Sequence, residues 1–280
     1  MKNALQLVGN TPLLELDNGI FAKLESVNPS GSIKDRMVKF IIEQAEKRGK
    51  LNEGMAIAEA TSGNTGIALS MIAAMKGYRA KIFMPKYMSE ERKKMMLYFG
   101  AELVLTNSME EAVEKAEQEA KKENTFLLNQ FKNKDNIEAH FQTTGQEILK
   151  QISKRIDYFV AGIGTGGTIV GAGRAIKEKN PNARIIGVLP KDKEDNKIEG
   201  IGSYYRKEIL EEKFLDEILL ISNKEAIEAA KSLAKRFGLF VGISSGANYA
   251  AAKKLKGTIV TVLPDSANRY LSTELPKGNK

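Results

Sequence analysis

Asn28-Pro29-Ser30-Gly31-Ser32-Ile33-Lys34-Asp35-Arg36 joins a run of turn-forming residues to the start of a helix and sets one lysine at its mouth. Asn28, Pro29 and Gly31 break any preceding strand. Ser32, with Asp35 three residues on, has the form of a capping box in which the shorter Asp replaces Glu. Apolar Met37, Phe40, Ile41 and Ala45 keep a helical period and Gly49 ends it, so the spacing predicts a helix over 34–48. In its first turn the positive end of the helix dipole disfavours an ammonium. Lys34 is therefore placed as an amine of lowered pKa that can condense with a carbonyl. The plainer alternative is a solvated surface lysine.

Outward from this stretch, strand-like and helix-like segments alternate. Strands are expected over 55–59, 80–84, 102–105, 126–128, 157–161, 184–189 and 258–263. Helices are expected over 65–76 with Gly77 behind, 89–99 with Ser89 as cap, 108–122, 167–179, and 226–237 closed by Gly238. Such alternation argues for an α/β protein with parallel sheets flanked by helices. Two α/β domains sharing a cleft are expected, 1–145 and 146–280, with the segment before Lys34 free to join the other sheet.

Composition narrows the function. The 280 residues are 42% hydrophobic, enough for substantial cores. The absence of cysteine excludes disulfides, iron–sulfur ligation and a cysteine nucleophile, and a single histidine, His140, excludes a multi-histidine metal site. His140 is assigned a structural role. No apolar run approaches a transmembrane length and no signal pattern opens the chain, so a cytoplasmic protein without a membrane contact is expected. The net charge of +8 comes from lysines mixed with glutamates and lacks an aromatic-interleaved basic stripe, which argues against nucleic acid.

Two further loops have the character of sites. Thr61-Ser62-Gly63-Asn64-Thr65-Gly66 follows a strand and opens a helix, offering hydroxyls, an amide and unpaired backbone N–H groups. That chemistry binds a carboxylate or a phosphate. A simple capped helix start needs only one of these polar residues, so a carboxylate site is favoured. Gly162-Ile163-Gly164-Thr165-Gly166-Gly167-Thr168 also lies between strand and helix and satisfies G-x-G-x-x-G. A dinucleotide site would require an acidic residue near the end of the next strand, where Val188-Leu189-Pro190 stands instead. A nest for one phosphate remains. A condensing lysine, a carboxylate loop and a monophosphate nest together describe a pyridoxal phosphate enzyme acting on an amino acid.

The chain resembles the cysteine synthase (O-acetylserine sulfhydrylase) and cystathionine β-synthase family, the fold-type-II pyridoxal phosphate enzymes. The resemblance runs nearly end to end. It includes Gly9-Asn10-Thr11-Pro12-Leu13, the 28–36 stretch, the 61–66 loop, Asn129-Gln130-Phe131 and Thr143-Thr144-Gly145. Further on it takes in residues 164–168, Glu199-Gly200-Ile201-Gly202, Gly242-Ile243-Ser244-Ser245-Gly246-Ala247, Leu263-Pro264-Asp265-Ser266 and Arg269-Tyr270-Leu271-Ser272-Thr273. It implies that Lys34 holds the cofactor as a Schiff base and then serves as base on the substrate α-proton. By the same resemblance Asn64 bonds the cofactor's phenolic oxygen, and Thr61, Ser62, Thr65 and Gln130 grip the substrate carboxylate. Gly164, Thr165, Gly166, Gly167 and Thr168 hold the phosphate, and Gly200 lies beside the reacting centre. Ser266 meets the pyridine nitrogen, with the adjacent Asp265 as the alternative.

The implied activity is β-replacement on a serine-type amino acid through an aminoacrylate, with cysteine formation from O-acetyl-L-serine and sulfide as the leading case. The alternatives are consumption of cysteine with release of hydrogen sulfide, giving lanthionine, serine or pyruvate, and a cystathionine-type condensation. A non-catalytic homologue is disfavoured by Lys34, Asn64 and the nest. A homodimer is also implied. The sequence departs from the sulfhydrylase pattern at Leu189-Pro190, at a short 191–197 stretch, at 106–111, at Gln146 and at Glu199, which leaves the second substrate open.

Overall fold

Valine, isoleucine and alanine runs without a polar face are what strands need when helices cover them on both sides. In the computed structural model, which describes residues 3–17, 19–202, 209–210 and 212–276, two sheets are built from such runs. The chain runs β1 (Leu13–Asp17), β2 (Ile20–Leu24), α1 (Lys34–Lys47), β3 (Ala56–Ala60), α2 (Asn64–Lys76), β4 (Arg79–Pro85), α3 (Glu90–Tyr98), β5 (Glu102–Thr106) and α4 (Met109–Glu119). It continues through β6 (Thr125–Leu127), α5 (Asp135–Ala139), a π-helical turn (His140–Gly145), α6 (Gln146–Gln151), β7 (Tyr158–Gly162) and α7 (Gly167–Lys179). Then come β8 (Arg184–Pro190), β9 (Glu217–Ile221), α8 (Asn223–Phe237), α9 (Ile243–Ala252) and β10 (Ile259–Leu263).

The smaller sheet has the order β5-β4-β3-β6 and is wholly parallel. The larger has the order β1-β2-β10-β7-β8-β9, parallel apart from the β1–β2 hairpin. That hairpin lies before Lys34 and adds β2 alongside β10, Ile20 opposite Ile259, so both ends of the chain meet in one sheet. Every residue of β3 and of β10 is buried. One core cluster fills the space under α1 and α2, and others pack the two faces of the larger sheet.

The expected strands and helices are all present to within a few residues, and Gly77 and Gly238 end α2 and α8 in the left-handed conformation. Three differences have physical causes. Strands β1, β2 and β9 were not expected: β1 and β2 form a short hairpin before Lys34, and β9 is an edge strand that stays mostly exposed although four of its five residues are apolar. All ten residues of α9 are buried, so no polar face marks it as a helix. The capping box at Ser32 does not form. The Asp35 carboxylate turns instead to Ser30, taking its backbone N–H at 2.7 Å and its hydroxyl, while Ser32 bridges to Asp265.

Helix α7 crosses the π-helical turn so closely that Gly171 has no room for a side chain. A Cβ there would overlap the carbonyl oxygen of Ile137 and lie 2.8 Å from the His140 Cβ. Alanine is the better helix former by about 1 kcal/mol, but overpacking against backbone costs about 1–3 kcal/mol. Gly171→Ala is therefore expected to destabilise the protein in urea unfolding; an unchanged or raised midpoint would show that this crossing is not tight.

Candidate active site

The segment that presents Lys34 is stitched to the far end of the chain. Ile33 N–H donates to the Pro264 carbonyl at 2.8 Å and Ser266 N–H to the Gly31 carbonyl at 3.2 Å. The Arg269 guanidinium adds two bonds of 2.6 Å, to the carbonyls of Ser30 and Gly31. Gly31 has φ +85° and a Cβ there would press on that guanidinium, so the turn requires glycine. Lys34 opens α1 from this seam. Burial strips water from its ammonium and pushes the pKa down to about 8, with the carboxylate of Asp265 partly opposing the shift. The direction is the one expected from the sequence; desolvation is the cause.

Beside it, the 61–66 loop leaves the end of β3. Thr61 Oγ1 accepts the Gly63 N–H at 3.0 Å, and Thr65 donates its hydroxyl to Gln130 Oε1 at 2.6 Å. Gln130 in turn donates from Nε2 to the Ala60 carbonyl at 2.9 Å, so its amide is fixed against the loop. Asn64 donates one Nδ2 hydrogen to Asp265 at 2.7 Å, and its buried Oδ1 has no partner among the described residues. The space a Gly63 side chain would need is filled by Arg92, whose guanidinium lies 4.7 Å from the Tyr270 ring centre and pairs with Glu199.

The third element follows β7. Gly166, φ +91°, caps α7, so residues 164–168 form the loop at the N-terminus of that helix, where unpaired backbone N–H groups collect. A Cβ on Gly164 would overlap the Gly200 carbonyl, so this nest and the 199–202 loop touch backbone to backbone. Thr168 and Thr144 bond the two ring nitrogens of His140, at 3.3 and 2.9 Å. Burial, with the positive charges of Lys34 and Arg36, holds that imidazole well below its usual pKa and hence neutral.

These parts surround a single cavity of about 620 Å³. Lys34, Thr61, Ser62, Asn64, Thr65 and Gln130 line one side, and Gly164, Thr165, Gly166, Thr168 and Gly200 line the other. Two of the expected site residues do not line it. Gly167 packs against the carboxamide of Asn136. Ser266 caps a short 3-10 helix, accepting the Asn268 N–H at 3.4 Å, and bridges to Val241. The hydroxyl that does line the cavity from this part of the chain is that of Ser244, in the first turn of α9, together with Asn248 one turn on, whose Oδ1 is buried and unpartnered. Ser244 lay within a quoted motif, but without the buried helix α9 nothing in the sequence aims it inward. Arg92 was also missed, since on its face of α3 it reads as one more surface charge.

The donor set fits pyridoxal phosphate. A desolvated amine suits its aldehyde, a nest of N–H groups and two hydroxyls suits its phosphate, and the unpartnered amide oxygens of Asn64 and Asn248 show polar wall left open to a ligand.

Comparison with known proteins agrees with this geometry. The profile described as "Pyridoxal-phosphate dependent enzyme" matches residues 4–265. Cysteine synthase B of Campylobacter jejuni is 45% identical, over 96% of this chain and 97% of its own. Among solved structures, a hydrogen sulfide-producing enzyme from Fusobacterium nucleatum superposes with a TM-score of 0.92 at 38% identity, covering 97% of this chain and 100% of that one. An O-acetylserine dependent cystathionine β-synthase from Helicobacter pylori gives 0.94 at 34% identity, with 99% of each chain covered. Matched over residues 4–265 and 45% identical to a relative over nearly its whole length, this chain belongs to the family of pyridoxal-phosphate dependent enzymes.

Proposed function

We propose that this chain makes cysteine from O-acetyl-L-serine and sulfide by β-replacement. The observation that carries the reading is that Lys34, the 61–66 loop and the 164–168 nest all open into one cavity. Bound pyridoxal phosphate supplies the electron sink that lets the α-proton leave and the β-substituent depart. The chain's own residues do the rest. Gly164, Thr165, Gly166 and Thr168 hold the phosphate, and Thr61, Ser62, Thr65 and Gln130 hold the substrate carboxylate, fixing the α-carbon between them. Lys34 would hold the cofactor's aldehyde and, as a free amine, would move the α-proton; its lowered pKa leaves a useful fraction of neutral amine near neutral pH. Asn64 has one amide hydrogen left over from its bond to Asp265, free for the phenolic oxygen. Ser244, rather than Ser266, would meet the pyridine nitrogen, because it is the serine that lines the cavity. A neutral hydroxyl there leaves the nitrogen largely unprotonated, which favours loss of the β-substituent. The homodimer, which rests on the resemblance, the two-domain division at residue 145, which rests on the alternation of strands and helices, and the cytoplasmic location, which rests on the sequence pattern, belong to the same proposal.

The second reading, cysteine consumed with release of hydrogen sulfide, is favoured by the likeness to the Fusobacterium nucleatum enzyme. Incubation with O-acetyl-L-serine plus sulfide, and separately with cysteine alone, distinguishes the two. Cysteine formation is expected to have the higher kcat/KM; faster sulfide release from cysteine would replace the first reading with the second.

The pKa of Lys34 gives a further expectation. The amine must be neutral to attack an aldehyde, so recombination of the cofactor-stripped protein with pyridoxal phosphate should speed up about tenfold per pH unit below pH 8 and level off above it. Stopped-flow absorbance measures this directly. A profile that keeps rising beyond pH 10 would mean an ordinary, solvated lysine.

A further inference from the structure

One side chain outside the cavity touches both anion sites. Asn136, in the first turn of α5, is 1% exposed, and its Nδ2 donates to the Gln130 carbonyl at 2.9 Å and to Thr165 Oγ1 at 3.0 Å. The orientation of this amide is forced, because a backbone carbonyl only accepts and the nitrogen must face it. The amide oxygen packs where a side chain on Gly167 would stand. Thr165 Oγ1 therefore receives one N–H from Asn136 and, at 3.3 Å, a second from Gly167. With its lone pairs so engaged, the hydroxyl's own hydrogen has no acceptor among the described residues, and the cavity it lines is its open direction.

A hydroxyl left to itself can donate or accept, and only the donating form helps a phosphate, which has acceptors alone. Resting on the reading that residues 164–168 hold the cofactor phosphate, we propose that Asn136 is a positioning residue that fixes Thr165 as a donor to that phosphate. By holding the Gln130 carbonyl it also sets the Gln130 side chain against Thr65 for the substrate carboxylate. One buried amide thus ties the two ends of the site together.

The test strips holoenzyme of its cofactor and titrates it with pyridoxal phosphate, and with pyridoxal, which lacks the phosphate, following bound-cofactor absorbance. Asn136→Asp is close in shape but replaces the donor by an acceptor, so Thr165 must donate to it instead. Pyridoxal phosphate should bind about 10- to 100-fold more weakly, with pyridoxal affinity unchanged within about twofold. The double variant with Thr165→Val should bind no more weakly than Thr165→Val alone. In the holoenzyme Asn136→Asp should raise KM for the amino acid, a change Thr165→Val does not make. Unchanged pyridoxal phosphate affinity in Asn136→Asp, or losses that add in the double variant, overturns the inference. Should Asn136→Asp fail to fold, Thr165→Ser and Thr165→Val decide: the inference requires that Ser keep and Val lose the preference for pyridoxal phosphate over pyridoxal, and equal preference overturns it. Wild-type affinity in Gly166→Asp would instead remove the reading of residues 164–168, and the inference with it.

Discussion

The site depends on the seam between residues 30–33 and 264–266. Two backbone hydrogen bonds and two from Arg269 join segments more than two hundred residues apart in the chain. Each replaces a bond to water, so the net gain from any one is about 1 kcal/mol; the importance of the seam is geometric. It holds Lys34 at the wall of the cavity and sets Asp265 beside Asn64 and Tyr270, at 2.7 Å from each. Lys34 and the loops 61–66 and 164–168 belong to elements of two different sheets, and the seam is where the chain joins them.

The helix that carries Lys34 is fixed at its other side by buried charge. Arg36 bonds both oxygens of Glu25, at 2.7 and 2.9 Å, and both oxygens of Glu147, at 2.7 Å. Lys23 joins Glu147 at 2.8 Å. Burial works against the charge on Glu147, but these two cations hold its pKa down to about 2. Two cations face two anions, so none of the four is left uncompensated. The adjacent Asp35 bonds Ser30 instead and rises to about 6, chiefly through burial and with the negative charge of Glu25 adding to the shift. The contrast explains why the Lys34 pKa falls. Arg36 has two carboxylates, whereas Lys34 has only the distant Asp265 to offset desolvation.

The layers of the fold were legible because parallel strands and capped helices leave local marks: the apolar runs at β3 and β10, and the glycines at 77 and 238. The polar loops that line the cavity were legible for the same reason, since Thr61, Ser62, Asn64 and Thr65 are neighbours in sequence as well as in space. What the sequence could not show depends on long-range contact. Ser266 and Ser244 sit in similar motifs, and only the path of the buried α9 decides which faces the cavity. Asn136 looks like one more polar residue of a loop until α5 sets it between Gln130 and Thr165. The expected capping box at Ser32 does not form because the Asp35 carboxylate is taken by Ser30, while the Ser32 hydroxyl accepts the Lys34 N–H at 3.3 Å.

The central claim is that Lys34 carries the cofactor. Reduction of the holoenzyme with borohydride makes the lysine–cofactor link permanent, and mass spectrometry of its peptides then locates it. The account predicts a pyridoxyl group on the peptide containing Lys34 and on no other. A modified lysine elsewhere in the chain, or none, would contradict it.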